Sequence, residues 1–245
     1  MASLVFDTNG SLIDVQQFGP DAAFVGTEAV PIISGTQLRQ YAAMVYAESS
    51  FMGLLNEINP EDPFGEMFRE TISIAICMYN YTRSKGTAFH RAGKVYGLQD
   101  LVSDVNYVRG INGPAYQEYF GTDGDAERRR LSTLAVLKLF TRQLDDIRDL
   151  IRDLQGAQYW DGNDLFRLFP NHYRARMGFE LGSPSHGHLY EKVSSIEGVQ
   201  VIPDCPAQDP NVAAKRQFTF MSTTVAGGSI FFKIHPQAVA QGISW

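Results

Sequence analysis

Residues 59–81 read NPEDPFGEMFRETISIAICMYNY, and the fold turns on whether their second half is a strand or a helix. Ile72, Ile74, Ile76 and Met78 alternate as in a half-buried strand, yet the run TISIAICMYNY is also apolar all round, as a buried helix is. The start of the segment decides between them. Asp62 followed by Pro63 is an N-cap with proline at the first helical position, so the stretch is read as a central buried helix.

Working outward from that helix, the chain passes directly into TRSKGTAFHRAGK, residues 82–94, which Gly86 and Gly93 punctuate. Helical spacing resumes in GLQDLVSDVNYVRG through Leu98, Leu101, Val105 and Val108. Upstream, Thr36 is placed to cap a helix reaching about Asn59, with Leu38, Tyr41, Val45, Met52 and Leu55 as its apolar stripe and Glu48 in the slot between. A carboxylate in that position needs a partner if it is buried. The longest helix is expected from about Ala126 to Gln155, packing through Leu137, Phe140, Leu144, Ile147, Ile151 and Leu154. A short helix is expected from Asp164 to Phe169, ended by Pro170. Asp145, Asp149 and Asp153, with Arg148 and Arg152 between them, read as a solvated helix face with internal ion pairs.

The two ends have a different texture. In SLVFDTNGSLIDV, Asn9-Gly10 stands between apolar runs, the signature of a type I′ hairpin. AAFVGTEAVPII is a further extended piece. From Tyr173 onward Val, Ile, Phe and Thr alternate with polar residues, and RQFTFMSTTVAGGSIFFKIHP predicts a hairpin turning at Gly227-Gly228. The expected fold class is therefore α+β: a mainly helical core, about residues 36–170, flanked by β-hairpin or extended segments at both termini. As segments these are a β arm over 1–35, a helical core over 36–172 and a β-rich stretch over 173–245, integrated into one domain.

At 245 residues with 44% hydrophobic and 12% aromatic side chains, the chain can fill a substantial core. Sixteen Phe and eleven Tyr exceed what one modest core requires and suggest contacts between subunits. MASLVFDTNG has neither a basic start nor a long apolar run, and Lys138 interrupts the most apolar helical stretch, LSTLAVLKLF. The expected location is the cytoplasm or a virion, away from the secretory route and from membranes. Cys77 and Cys205 have no metal-binding spacing and are read as free thiols. On the same grounds, the glycosylation patterns at Asn9 and Asn80 are read as chance.

Charge is uneven. Of the 21 basic and 27 acidic residues, residues 1–81 hold two and ten, 82–176 fifteen and twelve, and 177–245 four and five. The net values are −8, +3 and −1, which sum to the −6 of the whole chain. No acidic residue lies between Glu70 and Asp100, while Arg83, Lys85, His90, Arg91 and Lys94 all fall there. Two glycines let backbone approach an anion among those cations, and Phe89 and Tyr96 offer stacking surfaces. Arg128, Arg129 and Arg130 form a second cluster at a helix start, where cations oppose the dipole and an external anion or the neighbouring Asp123, Asp125 and Glu127 would relieve them. Arg174 and Arg176, with Arg167, His172, Phe169 and Tyr173, form a third.

Chemistry-bearing motifs are sparse. There is no P-loop, no G-x-S-x-G, no H-E-x-x-H, no paired C-x-x-C, and no G-x-G-x-x-G after a strand. His186-Gly187-His188, followed by Glu191 and, after six intervening residues, Gly198, resembles the first metal-binding motif of the cupin barrels. That resemblance implies a metal held by His186, His188 and Glu191 inside a small β-barrel. The His188–Glu191 gap is one or two residues short of the family pattern, and the second cupin motif with its further histidine is absent. The expectation is therefore a self-assembling structural protein, of the viral coat or nucleocapsid kind, that has itself and single-stranded RNA as partners and needs no cofactor. A metal-dependent enzyme and an interaction module without nucleic acid are the alternatives.

Overall fold

The computed structural model describes residues 3–6, 12–16, 35–89, 101, 111, 113–122, 124–141, 144–162, 165, 168, 171–181 and 204–243. The architecture is α+β. In chain order the helices are α1 Gly35–Glu48, α2 Met52–Ile58, α3 Pro63–Phe89, α4 Pro114–Phe120, α5 Ala126–Thr141, α6 Arg148–Leu154, α7 Tyr173–Arg176, α8 Pro210–Ala213 and α9 Pro236–Ala240. The strands are β1 Ser3–Phe6, β2 Leu12–Gln16, β3 Tyr159–Asp161, β4 Phe179–Glu180, β5 Asp204–Cys205, β6 Phe220–Ala226 and β7 Ser229–Ile234. These elements fall into two compact units, each built from two stretches of chain: Met1–Ser49 with Leu98–Arg148, and Ser50–Gly97 with Asp149–Trp245. The division cuts across the three consecutive segments read from the sequence.

In the first unit β1 and β2 pair antiparallel, Ser3 opposite Gln16 and Leu4 opposite Val15, as the Asn9-Gly10 signal predicts. The turn itself lies outside the described residues, as does AAFVGTEAVPII. Helix α1 buries Leu38, Tyr41, Ala42, Val45 and Tyr46. It ends at Glu48, so the single helix expected as far as Asn59 is two, α1 and α2; Glu48 itself is half-buried. Helix α5 buries Leu131, Leu134, Val136 and Leu137. Tyr41 stacks on Phe140 with ring centroids 5.7 Å apart.

The long helix expected from Ala126 to Gln155 is divided. Helix α5 ends at Thr141, Leu144 has non-helical φ −112° and ψ 12°, and a 3-10 turn, Asp145–Ile147, precedes α6. Leu137, Ile147 and Leu154 of the expected face are buried, whereas Leu144 and Ile151 are only half-buried. Charge explains the restart. Asp145, Asp146 and Asp149 occupy the new helical start, where carboxylates complement the dipole. Lys138, 2% exposed along its side chain, meets Asp146 at 2.7 Å. In an unbroken helix these two residues would stand about 12 Å apart along the axis.

In the second unit α3 is a single helix of 27 residues, so the helical reading of residues 71–81 holds. Asp62 caps it, its Oδ1 accepting from Gly65 N–H at 2.9 Å, with Pro63 as the first residue. Residues 71–78 are all buried. The sheet has the order β3-β7-β6-β4-β5. Its β4–β6 pairing is parallel and the other pairings are antiparallel. The β6–β7 hairpin turns at Gly227-Gly228 as predicted, with Gly227 at φ 54°, a conformation that disfavours any side chain. Phe232 is the hub of the aromatic packing: the Tyr159, Phe179 and Phe220 rings lie 5.6, 5.2 and 5.6 Å from it. Tyr81 of α3 meets Tyr159 edge-on at 5.8 Å. Strand β3 falls within the mainly helical core segment, at a place where the sequence reading expected no strand. Of the expected short helix at 164–169, Leu165 and Leu168 are described, both helical.

Candidate nucleic-acid interface

The acid-free cationic stretch begins on α3. Its N-terminal half holds two buried carboxylates, Glu66 and Glu70. Arg83 lies in the C-terminal half, exposed, with its guanidinium 5.6 Å from the Tyr79 ring centroid. Lys85 follows on the same helix. His90, Arg91 and Lys94, and the stacking candidate Tyr96, lie outside the described residues, as does the helix expected over 97–110 except for Leu101, which is helical and buried.

The arginine triplet has its partners within the first unit. Asp125 caps α5, its Oδ1 accepting from the N–H groups of Glu127 and Arg128, each at 3.0 Å. Arg128 is buried and reaches the end of α1, where its Nη2 donates to the carbonyls of Tyr46 and Ser49 and its Nε donates to Ser49 Oγ at 3.0 Å. Its guanidinium lies 4.3 Å from the Tyr46 ring centroid. Arg129, also buried, does the same for α4, donating from Nε to Tyr119 O at 2.8 Å and from Nη2 to Glu118 O at 3.2 Å. Arg130 pairs with Glu127. Cations at the start of α5 thus donate to carbonyls at the ends of two other helices, of which Tyr46 O also accepts from Ser49 Oγ at 3.2 Å and Glu118 O from Gly121 N–H at 3.1 Å; this accounts for a placement that α5 alone disfavours. Arg128 and Arg129 are interior residues and do not line an open groove.

The third group is divided in the same manner. Arg174 Nε sits 2.5 Å from Asp161 Oδ2, both side chains largely covered. Its guanidinium faces the rings of Phe232 at 4.8 Å, Tyr173 at 4.9 Å, Phe220 at 5.7 Å and Tyr159 at 5.8 Å. An arginine held by a carboxylate and four rings is an anchor for the sheet. Buried His172 caps α7, its Nδ1 accepting from Arg174 N–H at 3.4 Å. Arg176 remains exposed, and Arg167 lies outside the described residues. The carbonyl of Arg176 accepts from Gln208 and Asp209 N–H at 2.8 and 3.2 Å, which ties it to the start of α8. Exposed Lys215 follows α8, a surface cation that the sequence reading did not single out. Its signal was the dibasic Lys215-Arg216, which has no glycine or aromatic beside it to mark it as a site.

Arg148 pairs with Asp145 at 2.7 Å and Arg152 with Asp149 at 3.0 Å, all four exposed, as a solvated face requires. Asn80 donates to Ala157 O at 2.9 Å and Thr82 is buried, so this glycosylation pattern is engaged in packing. Burial pushes the Cys77 thiol well up and the Cys205 thiol up. Among the described residues no His, Cys, Asp or Glu cluster of three or more could hold a metal, and no helix is long and apolar enough to cross a membrane. His186, His188 and Glu191 lie outside the described residues. No protein-family model, curated protein or solved structure matches this chain.

Proposed function

We propose that this chain is a self-assembling structural subunit of the coat or nucleocapsid kind, which holds single-stranded RNA by its phosphate backbone. One observation carries the reading: α3 runs from two buried carboxylates to an acid-free half bearing exposed Arg83, and then leads into His90, Arg91 and Lys94. The segment holds cations and no acidic residue inside a chain of net charge −6, which concentrates positive potential along it. Arg176 and Lys215 are further exposed cations of the second unit. A single acidic subunit binds a polyanion weakly, and an array of subunits binds it by avidity, so assembly and RNA binding belong to one function. Size-exclusion chromatography monitored at 260 and 280 nm tests this. Large particles rich in nucleic acid are expected; a small oligomer free of nucleic acid that also fails to bind added RNA would refute it.

A further inference from the structure

Tyr79 is a large aromatic that stays 38% exposed at the end of nine consecutive buried residues of α3, 70–78. Its neighbour Asn80 turns to Ala157, and Tyr81 turns to Tyr159. Tyr79 turns to solvent, where a charged or amide side chain would serve solubility better. One helical turn further on, Arg83 lays its guanidinium near the ring, 5.6 Å from the centroid. Gly86 follows at the next equivalent position, so Tyr79, Arg83 and Gly86 lie within about 60° of one another around the axis. An aromatic ring, a cation and a position without a side chain thus share one stripe of α3.

We propose that this stripe is a one-nucleotide subsite: an unpaired base stacks on Tyr79, Arg83 takes the adjoining phosphate, and Gly86 leaves room for the strand. The proposal rests on the RNA-binding reading above and adds to it that bases, besides phosphates, are held. Every base has a π-face, so the subsite accepts any sequence but requires the bases unpaired. A double helix, whose bases are stacked on one another, cannot use it.

The test uses the full chain with three probes of equal length: oligouridylate, an abasic ribose-phosphate oligomer, and duplex RNA. The parent is expected to bind oligouridylate more tightly than either of the others. Tyr79→Leu should weaken oligouridylate binding roughly 5- to 150-fold, the span of one lost base–aromatic stack, while leaving abasic binding and the salt slope unchanged. Tyr79→Trp should restore it. Thermal unfolding of both variants shows whether the exposed site was altered without harm to the fold. If the parent prefers oligouridylate but Tyr79→Leu binds it equally well, the subsite is wrong and RNA binding stands. Equal binding of oligouridylate and the abasic oligomer by the parent also removes the stack while keeping the phosphate contacts. No binding of any probe overturns both. If polyglutamate competes as well as oligouridylate and shows the same dependence on Tyr79, the stripe belongs to an acidic protein partner, and the base subsite is overturned.

Discussion

Glu70 Oε1 accepts a hydrogen bond from Ser229 Oγ at 2.7 Å, across 159 residues of sequence, and thereby ties the buried face of α3 to the β6–β7 hairpin. The same carboxylate accepts from Ser50 Oγ at 2.8 Å and Ser50 N–H at 2.9 Å. One turn earlier, Glu66 Oε2 accepts from Gly227 N–H at 3.2 Å. A Cβ on Gly227 would come within 2.8 Å of Glu70 Cδ, so carboxylate and turn are fitted to each other. Glu70→Ala should cost about 3 kcal/mol or more, because donors of Ser50 and Ser229 are left without a partner in the interior. Chemical denaturation measures this, and a loss below about 1 kcal/mol would show that the clamp is dispensable.

Arg128 is expected to stabilise the first unit through the end of α1. Arg128→Met keeps much of the side chain's length but removes every donor, taking the charge-assisted bonds from the Tyr46 and Ser49 carbonyls and leaving Tyr46 O with the weaker bond from Ser49 Oγ at 3.2 Å. The expected loss is about 2–4 kcal/mol from charge-assisted bonds. Arg130→Met, which breaks the partly exposed pair with Glu127, should cost no more than about 1 kcal/mol. Equal losses for the two variants would contradict the capping assignment.

Much of this was legible in the sequence, and what was not has identifiable causes. Asp62-Pro63 announced α3 because a cap and a proline act locally, and Asn9-Gly10 and Gly227-Gly228 announced hairpins for the same reason. The division of the helix beyond Thr141 was hidden, since Leu137, Ile147 and Leu154 keep helical spacing although they stand in different segments, and the pairing of Lys138 with Asp146 across the break is a contact that spacing does not encode. The arginine triplet misleads in the same way. Its counter-groups are backbone carbonyls at the ends of α1 and α4, which have no letter in the sequence. Nothing local in the sequence marks Glu66 and Glu70 as buried carboxylates, because the serines and glycine they bind lie 20 to 161 residues away in the chain.

Lys138 offers a contrast with Arg128, since its partner Asp146 is half in water. Lys138→Met leaves no buried charge behind and fills the same space, so stability should change by less than about 1 kcal/mol or rise. Lys138→Ala, which also removes the aliphatic stem from the core, should cost about 2 kcal/mol or more. The pair of denaturation curves separates packing from charge.

Alkaline titration probes the first unit. Burial raises the ionisation of Tyr119, Tyr116 and Tyr46 above the usual 10.0, with desolvation the leading cause for each. A group raised in the folded state contributes stability that is intact below its unfolded pKa and is lost as pH climbs toward the folded one. Stability should therefore be level up to about pH 9 and fall above pH 10, and phenolate absorbance from these three should appear together with unfolding. Smooth titration of all tyrosines near pH 10 in the folded protein would contradict their burial.

Cys77 should be inert to a thiol reagent at pH 8, because the residue is wholly buried and its thiolate is strongly disfavoured. Denaturant should release its reactivity in step with global unfolding. Rapid labelling under native conditions would mean that α3 opens locally.

The most direct measurement of RNA binding by the acid-free segment is the dependence of affinity on salt for the parent and for the variant with Arg83, Lys85, Arg91 and Lys94 all changed to Gln. Each phosphate neutralised on a single strand contributes about −0.7 to the logarithmic slope. With about three of the four cations at a phosphate, the variant's slope should be flatter by about 2 units. A variant that binds single-stranded RNA with the parent's affinity and slope would show that the segment does not hold the phosphate backbone.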